Sequence, residues 1–167
     1  NALKQYQIEE AENDLIALNS YIRFYCTVGS GLVYRGDIEE GEQYYNNSYE
    51  LNLKYSKSGK DKEQWMLRLI ALIDDILTTL VNNMYYSTAM HWIERQEKTL
   101  SEYKKLPNYN EVAYDGFMNN MLAIKAQTMQ ILGKDKEAAE AFDEYNKTEY
   151  AKTATGVISS AYYLLAD

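Results

Sequence analysis

Side-chain chemistry in this chain of 167 residues would have to come from one histidine, one cysteine, paired acids or its many tyrosines. His91 stands one turn before Glu94 and Arg95, and a Glu-x-x-His metal arrangement would need an acid at position 88, where Thr88 sits. It reads as a surface or partly packed side chain, with pH sensing as the alternative. Cys26, between Tyr25 and Thr27, has no partner for an internal disulfide and no activating base unless His91 folds beside it. A small packed or groove-lining thiol is expected. Asp74 and Asp75 suggest an acid–base pair, but consecutive helical residues point about 100° apart and cannot share a proton by themselves. Gly29-Ser30-Gly31 has the look of a phosphate loop, yet it lacks the Lys-Ser/Thr step and lies inside a helical pattern. Its glycines are expected to let a second helix approach, at a cost in helix propensity. No nucleophile–base pair or metal-ligand set follows, so no catalytic residues, metal or cofactor are expected.

Seventeen tyrosines, about a tenth of the chain, stand beside a single proline, which favours long helices. Tyr44, Tyr45, Tyr49, Tyr85, Tyr86, Tyr103, Tyr145, Tyr162 and Tyr163 occupy positions expected to pack between helices. Any left at an edge offer a recognition anchor, because a phenol joins a large apolar body to a polar tip. With 25 acidic against 17 basic residues the formal charge is −8, the pI is near 4.8, and the lysines are scattered. A nucleic-acid partner, which needs clustered cations, is therefore disfavoured. The longest apolar run, Ile76–Val81, is interrupted by Thr78 and Thr79 and falls far short of the roughly 20 residues of a membrane helix. At 46% hydrophobic residues the chain can bury a real core.

Residues that must be positioned imply elements to position them. Leu15, Leu18, Ile22, Tyr25, Val28 and Leu32 step by three or four, which gathers them on one helix face ending near Tyr34. Arg35-Gly36-Asp37 is the turn, Asp37 the cap, and Tyr44, Tyr45, Ser48, Leu51 and Tyr55 carry a second helix to Ser58-Gly59. Asp61 with Gln64 opens a third helix, apolar around most of its circumference from Trp65 to Leu80 and so expected between neighbours. Asn82-Asn83 precedes a fourth through Ala89, Trp92, Ile93, Gln96 and Leu100, bounded by Pro107. Asn108 with Glu111 caps a fifth, ending at Gly133; Asp135 caps a sixth through Phe142 and Tyr145; Val157 to Leu165 forms a seventh. No stretch alternates strictly for long, so strands are not expected.

Three of these helix pairs superimpose. Gly29, Gly36, Gly41 and Tyr45 match Ala126, Gly133, Ala138 and Phe142 with gaps of seven, five and four residues. A middle copy places Leu77, Met84, Ala89 and Ile93 in the same gaps, with registers 48 and 49 residues apart and no turn glycine. On these residues the chain resembles the tetratricopeptide repeat family, in which small residues let paired helices close and an aromatic follows one turn later. Residues 34–45 and 131–142 carry the match; the period exceeds the family's usual thirty-four, and a closing proline is absent except at Pro107. The Tyr-rich, Asn-rich, acidic style is similar to the amino-terminal sensory regions of Bacteroidetes two-component sensor and regulator proteins.

The resemblance implies an all-α, right-handed α-solenoid of stacked antiparallel helix hairpins, with about seven helices in a single domain spanning 1–167. Its repeats are expected at about 11–57, 61–106 and 110–150, with 153–167 opening a truncated fourth. First helices would line the inner wall, and helical phase puts Arg23, Ser30, Tyr34, Asp74, Thr78, Asn82, Asn120, Gln127 and Gln130 there. This mostly uncharged polar lining suits the backbone of an extended protein or peptide partner. A non-catalytic binding module in a larger signalling protein is the leading expectation. A small-ligand domain or enzyme with a pocket of tyrosines and carboxylates is the first alternative, and a spacer that forms homodimers the second. The start at Asn1, with no Met or signal-peptide pattern, is read as an excised or processed piece. An extracytoplasmic segment of a membrane-anchored sensor fits the narrower resemblance best, with no membrane contact in this stretch.

Overall fold

The computed structural model describes residues 15–58 and 61–153. Among them the chain is entirely helical: α1 (Leu15–Tyr34), α2 (Ile38–Ser58), α3 (Lys62–Asn82), α4 (Tyr86–Lys104), α5 (Glu111–Ile131), α6 (Asp135–Asn146) and a 3-10 turn at Tyr150–Lys152. No helix of the described residues is long and apolar enough to cross a membrane. The expected seventh helix, Val157 to Leu165, lies outside the described residues, as do Tyr162 and Tyr163. The chain divides into two compact units, Asn1–Trp65 and Met66–Asp167. The first holds the α1–α2 pair, the second most of α3 together with α4, α5 and α6.

The three hairpins turn on one recurring hydrogen-bond pattern. After α1 the Gly36 amide donates to the Val33 carbonyl at 3.0 Å and the Asp37 amide to that of Leu32 at 2.9 Å. After α3 the Met84 and Tyr85 amides donate to Val81 and Leu80 at 3.0 and 2.9 Å; after α5 those of Gly133 and Lys134 donate to Gln130 and Met129 at 3.0 and 2.8 Å. Each is the paired closure of a helix C-terminus that requires a left-handed residue, and φ is +91° at Gly36, +63° at Met84 and +70° at Gly133. The following helix begins two residues later every time. The middle copy thus keeps its turn without the glycine, by forcing a methionine into a conformation that L side chains rarely adopt.

Small residues set the spacing within the first pair. A Cβ on Gly29 would lie 2.7 Å from Tyr45 Cδ1 and 3.0 Å from the Gly41 carbonyl oxygen; one on Gly41 would lie 2.8 Å from Val33 Cγ2 and 3.0 Å from the Gly29 carbonyl oxygen. Backbones approach where only hydrogen occupies the Cβ position. Ala89, Ala126 and Ala138, at the matching places of the other copies, are buried. Gly31 departs from expectation: it is exposed, and a Cβ there would meet nothing within 4 Å. Its position one residue beyond Ser30 turns it off the contact face.

A second correspondence ties each early pair together. The Ser48 hydroxyl donates to the Ile22 carbonyl at 2.8 Å, and 48 residues on the Gln96 amide donates to the Ile70 carbonyl at 3.2 Å, both bonds buried. Within the second unit α3 contributes Leu69, Ile70, Leu72, Ile73, Ile76, Leu77 and Leu80, each at most 2% exposed. Only a narrow stripe through Asp75, Thr78 and Asn82 is left to solvent.

Several local expectations change. The cap of α5 is Asn110, whose Oδ1 accepts from the Ala113 amide at 3.0 Å, because the Pro107–Asn108 turn delays the helix start by two residues. Asp135 is the first residue of α6, and Lys134 occupies the cap position without a side-chain bond. The Asp37 carboxylate turns back to Arg35, Nη2 to Oδ2 2.6 Å, while its carbonyl accepts from the Gly41 amide. Phe142 is only half-buried, stacked at 6.5 Å on Tyr145, so the aromatic of the third copy is a less central plug than Tyr45.

Candidate functional site

The surface that brings predicted residues together belongs to the second unit. Asp74 lies on α3 beside its exposed stripe, with Thr78 and Asn82 one and two turns further on, both exposed. Asn120 lies on α5, and its Nδ2 donates to Asp74 Oδ1 at 2.7 Å, which links the first helices of successive pairs at this point. Half-burial pushes the Asp74 carboxyl above its ordinary value; the Asn120 hydrogen bond opposes this, and the neighbouring Asp75 charge adds to it. Gln127, two turns beyond Asn120, and Gln130 are half-buried on α5. What results is a strip of one carboxylate and several amides and hydroxyls, with donors and acceptors suited to main-chain N–H and C=O groups.

The first unit carries the other three predicted residues on α1. Arg23 and Tyr34 are exposed, Tyr34 to 65%. Ser30 turns toward the partner helix instead, its hydroxyl sharing a 3.0 Å hydrogen bond with the Tyr45 phenol. That phenol needs a polar partner because Tyr45 is fully buried, and a serine one residue after the contact glycine supplies it.

The remaining candidates fall into packing roles. Cys26 is buried in the first unit, 7% exposed, while His91 lies in the second with its ring 5.4 Å from that of Trp92. Tyr45, Tyr103 and Tyr145 are core, whereas Tyr44, Tyr49, Tyr85 and Tyr86 are half-buried. Tyr103 does double duty: its ring packs edge-on to Tyr109, and its hydroxyl accepts from the Asn110 amide at 2.9 Å, anchoring the entry to α5.

Among the exposed residues of these helices that the phase argument did not name are Asp75 and Ile131, the latter 51% exposed. The turn register could have found Ile131, because it stands two residues before its left-handed residue as Tyr34 and Asn82 do before theirs. Compared with known proteins, the chain matches no family model, and neither a curated protein nor a solved structure matches it.

Proposed function

We propose that the chain is a non-catalytic, tetratricopeptide-like binding module, a sensory or scaffolding segment of a larger signalling protein, whose helices α3 and α5 hold an extended peptide. The observation that carries this reading is the Asp74–Asn120 hydrogen bond, which makes one continuous polar surface of two helices 46 positions apart in sequence. Around it stand Thr78, Asn82 and Gln127, short neutral side chains whose donors and acceptors suit a peptide backbone without fixing its side chains. A peptide selected from a random library on the full chain supplies the probe. Asn120→Ala with Gln127→Ala is expected to weaken its binding at least about tenfold, about 1.4 kcal/mol, while the chain keeps its helical circular dichroism spectrum, with a modest loss of stability from the lost Asp74 hydrogen bond. Unchanged affinity in that folded variant would remove the surface from consideration.

A specific observation favours a second reading, the homodimerising spacer. The exposed side of α1 presents Ile16, Phe24 and Tyr34, 79%, 60% and 65% exposed. Sedimentation that varies with protein concentration, and ceases to vary in Phe24→Ser, would favour that spacer over the peptide module.

A further inference from the structure

On the side of α5 away from Asn120, α4, α5 and α6 enclose a half-open cleft of about 320 Å³. That is the lower end of the range for small-molecule sites, roughly 300–1,000 Å³. Its floor is Tyr114 and Met121, both nearly buried, with the half-buried Met118 between them on successive turns of α5. Thioethers and a phenol ring make an apolar bed that adapts to a flat ligand. Glu97, the α4 acid in the lining, is paired with Lys125, Nζ to Oε1 2.5 Å, which neutralises it.

One end is cationic. Lys104 Nζ sits 4.9 Å from the centre of the Tyr114 ring, and Lys105 follows it at the rim, with the Ser101 hydroxyl one turn back. Among the described residues neither ammonium has a carboxylate partner. Two uncompensated cations therefore stand at the mouth of an apolar cleft in a chain of net charge −8. Glu144 of α6 is the remaining acid in the lining.

We infer that this cleft binds a small amphiphilic monocarboxylate: a flat apolar body lies on Met118, Met121 and Tyr114, and the carboxylate is held by Lys104 and Lys105. Glu144 disfavours a second anionic group on the ligand, because like charges in a partly desolvated site repel. The site lies on different helix faces from the peptide surface and does not depend on that reading.

Titration of the full chain, labelled with nitrogen-15, with 3-phenylpropionate tests it. Saturable amide shifts confined to Ser101–Lys105 and Tyr114–Met121 are expected, with half-saturation below about 10 mM. Phenylpropionamide, which lacks the charge, and phenylsuccinate, which carries two, are each expected to bind at least about tenfold more weakly. Lys104→Gln with Lys105→Gln is expected to lower the affinity for phenylpropionate by the same factor. Absence of saturable shifts, equal binding of the neutral amide, or undiminished affinity in the double variant would each overturn the assignment. The comparison between ligands decides the matter even if the double variant fails to fold.

Discussion

Gly29 and Gly31 sit two residues apart on α1 and carry opposite expectations. Alanine at 29 would drive a methyl group to within 2.8 Å of two ring carbons of Tyr45, a fully buried residue with no room to retreat. Overpacking of this kind costs about 1–3 kcal/mol, so Gly29→Ala is expected to lower the melting temperature markedly. Gly31→Ala meets nothing and removes backbone freedom from the unfolded chain, so it should stabilise by about 0.5–1 kcal/mol. Thermal melts of the two variants check both signs. Asp74 gives a third prediction at this scale. Its raised carboxyl holds protons more tightly in the folded chain than in the unfolded one, so its contribution to stability declines as pH rises from the ordinary value of 3.8 through the raised one. Asp74→Asn, whose side-chain oxygen can still accept from Asn120, should therefore be more stable than the native chain at neutral pH. The gain should vanish in acid, as urea denaturation at the two pH values would show. Spacing exposed the role of Gly29, because small residues at matching places of the repeated pairs mark a close approach, but not the fate of Ser30, because nothing local says which phenol a serine will meet.

At the scale of elements, the three turns were legible in the chain wherever glycine marked them, at 36 and 133. The middle turn was legible from the Asn82-Asn83 break and from equal spacing, but its left-handed residue was not, since Met84 is no signal of one. It holds φ at +63° with its side chain 75% exposed, so little packing offsets the backbone strain. Met84→Gly is expected to stabilise the second unit by about 0.5–1 kcal/mol, raising the melting temperature by a few degrees. Chemical denaturation of the variant, read through tryptophan fluorescence, measures it. Helix boundaries followed from periodicity and turn residues almost throughout. The start of α5 did not, because Asn108 and Asn110 are both competent caps and the choice rests on Tyr103, whose hydroxyl holds the Asn110 amide. The Ser48–Ile22 and Gln96–Ile70 bonds were equally hidden: a buried serine or glutamine on an aromatic-rich helix gives no sign of which carbonyl it will meet.

For the molecule as a whole, local spacing predicted an all-helical chain with repeated pairs, and the recurrence of one turn at 36, 84 and 133 agrees with it. Contacts between pairs were not legible, since nothing local connects Asp74 to Asn120 or Glu97 to Lys125. Those contacts decide which faces remain open, and so separate the amide-lined surface of α3 and α5 from the lysine-rimmed cleft beside α4 and α6. The charge of −8 belongs to this scale too, and favours a peptide whose flanks are basic over one that is acidic. Mapping a selected peptide by amide shifts on the labelled full chain tests the proposed role most directly. Perturbations should follow the open stripe of α3 and α5 through Thr78, Asn82, Asn120 and Gln127. Shifts gathered on α4 and α6, with that stripe unmoved, would contradict it.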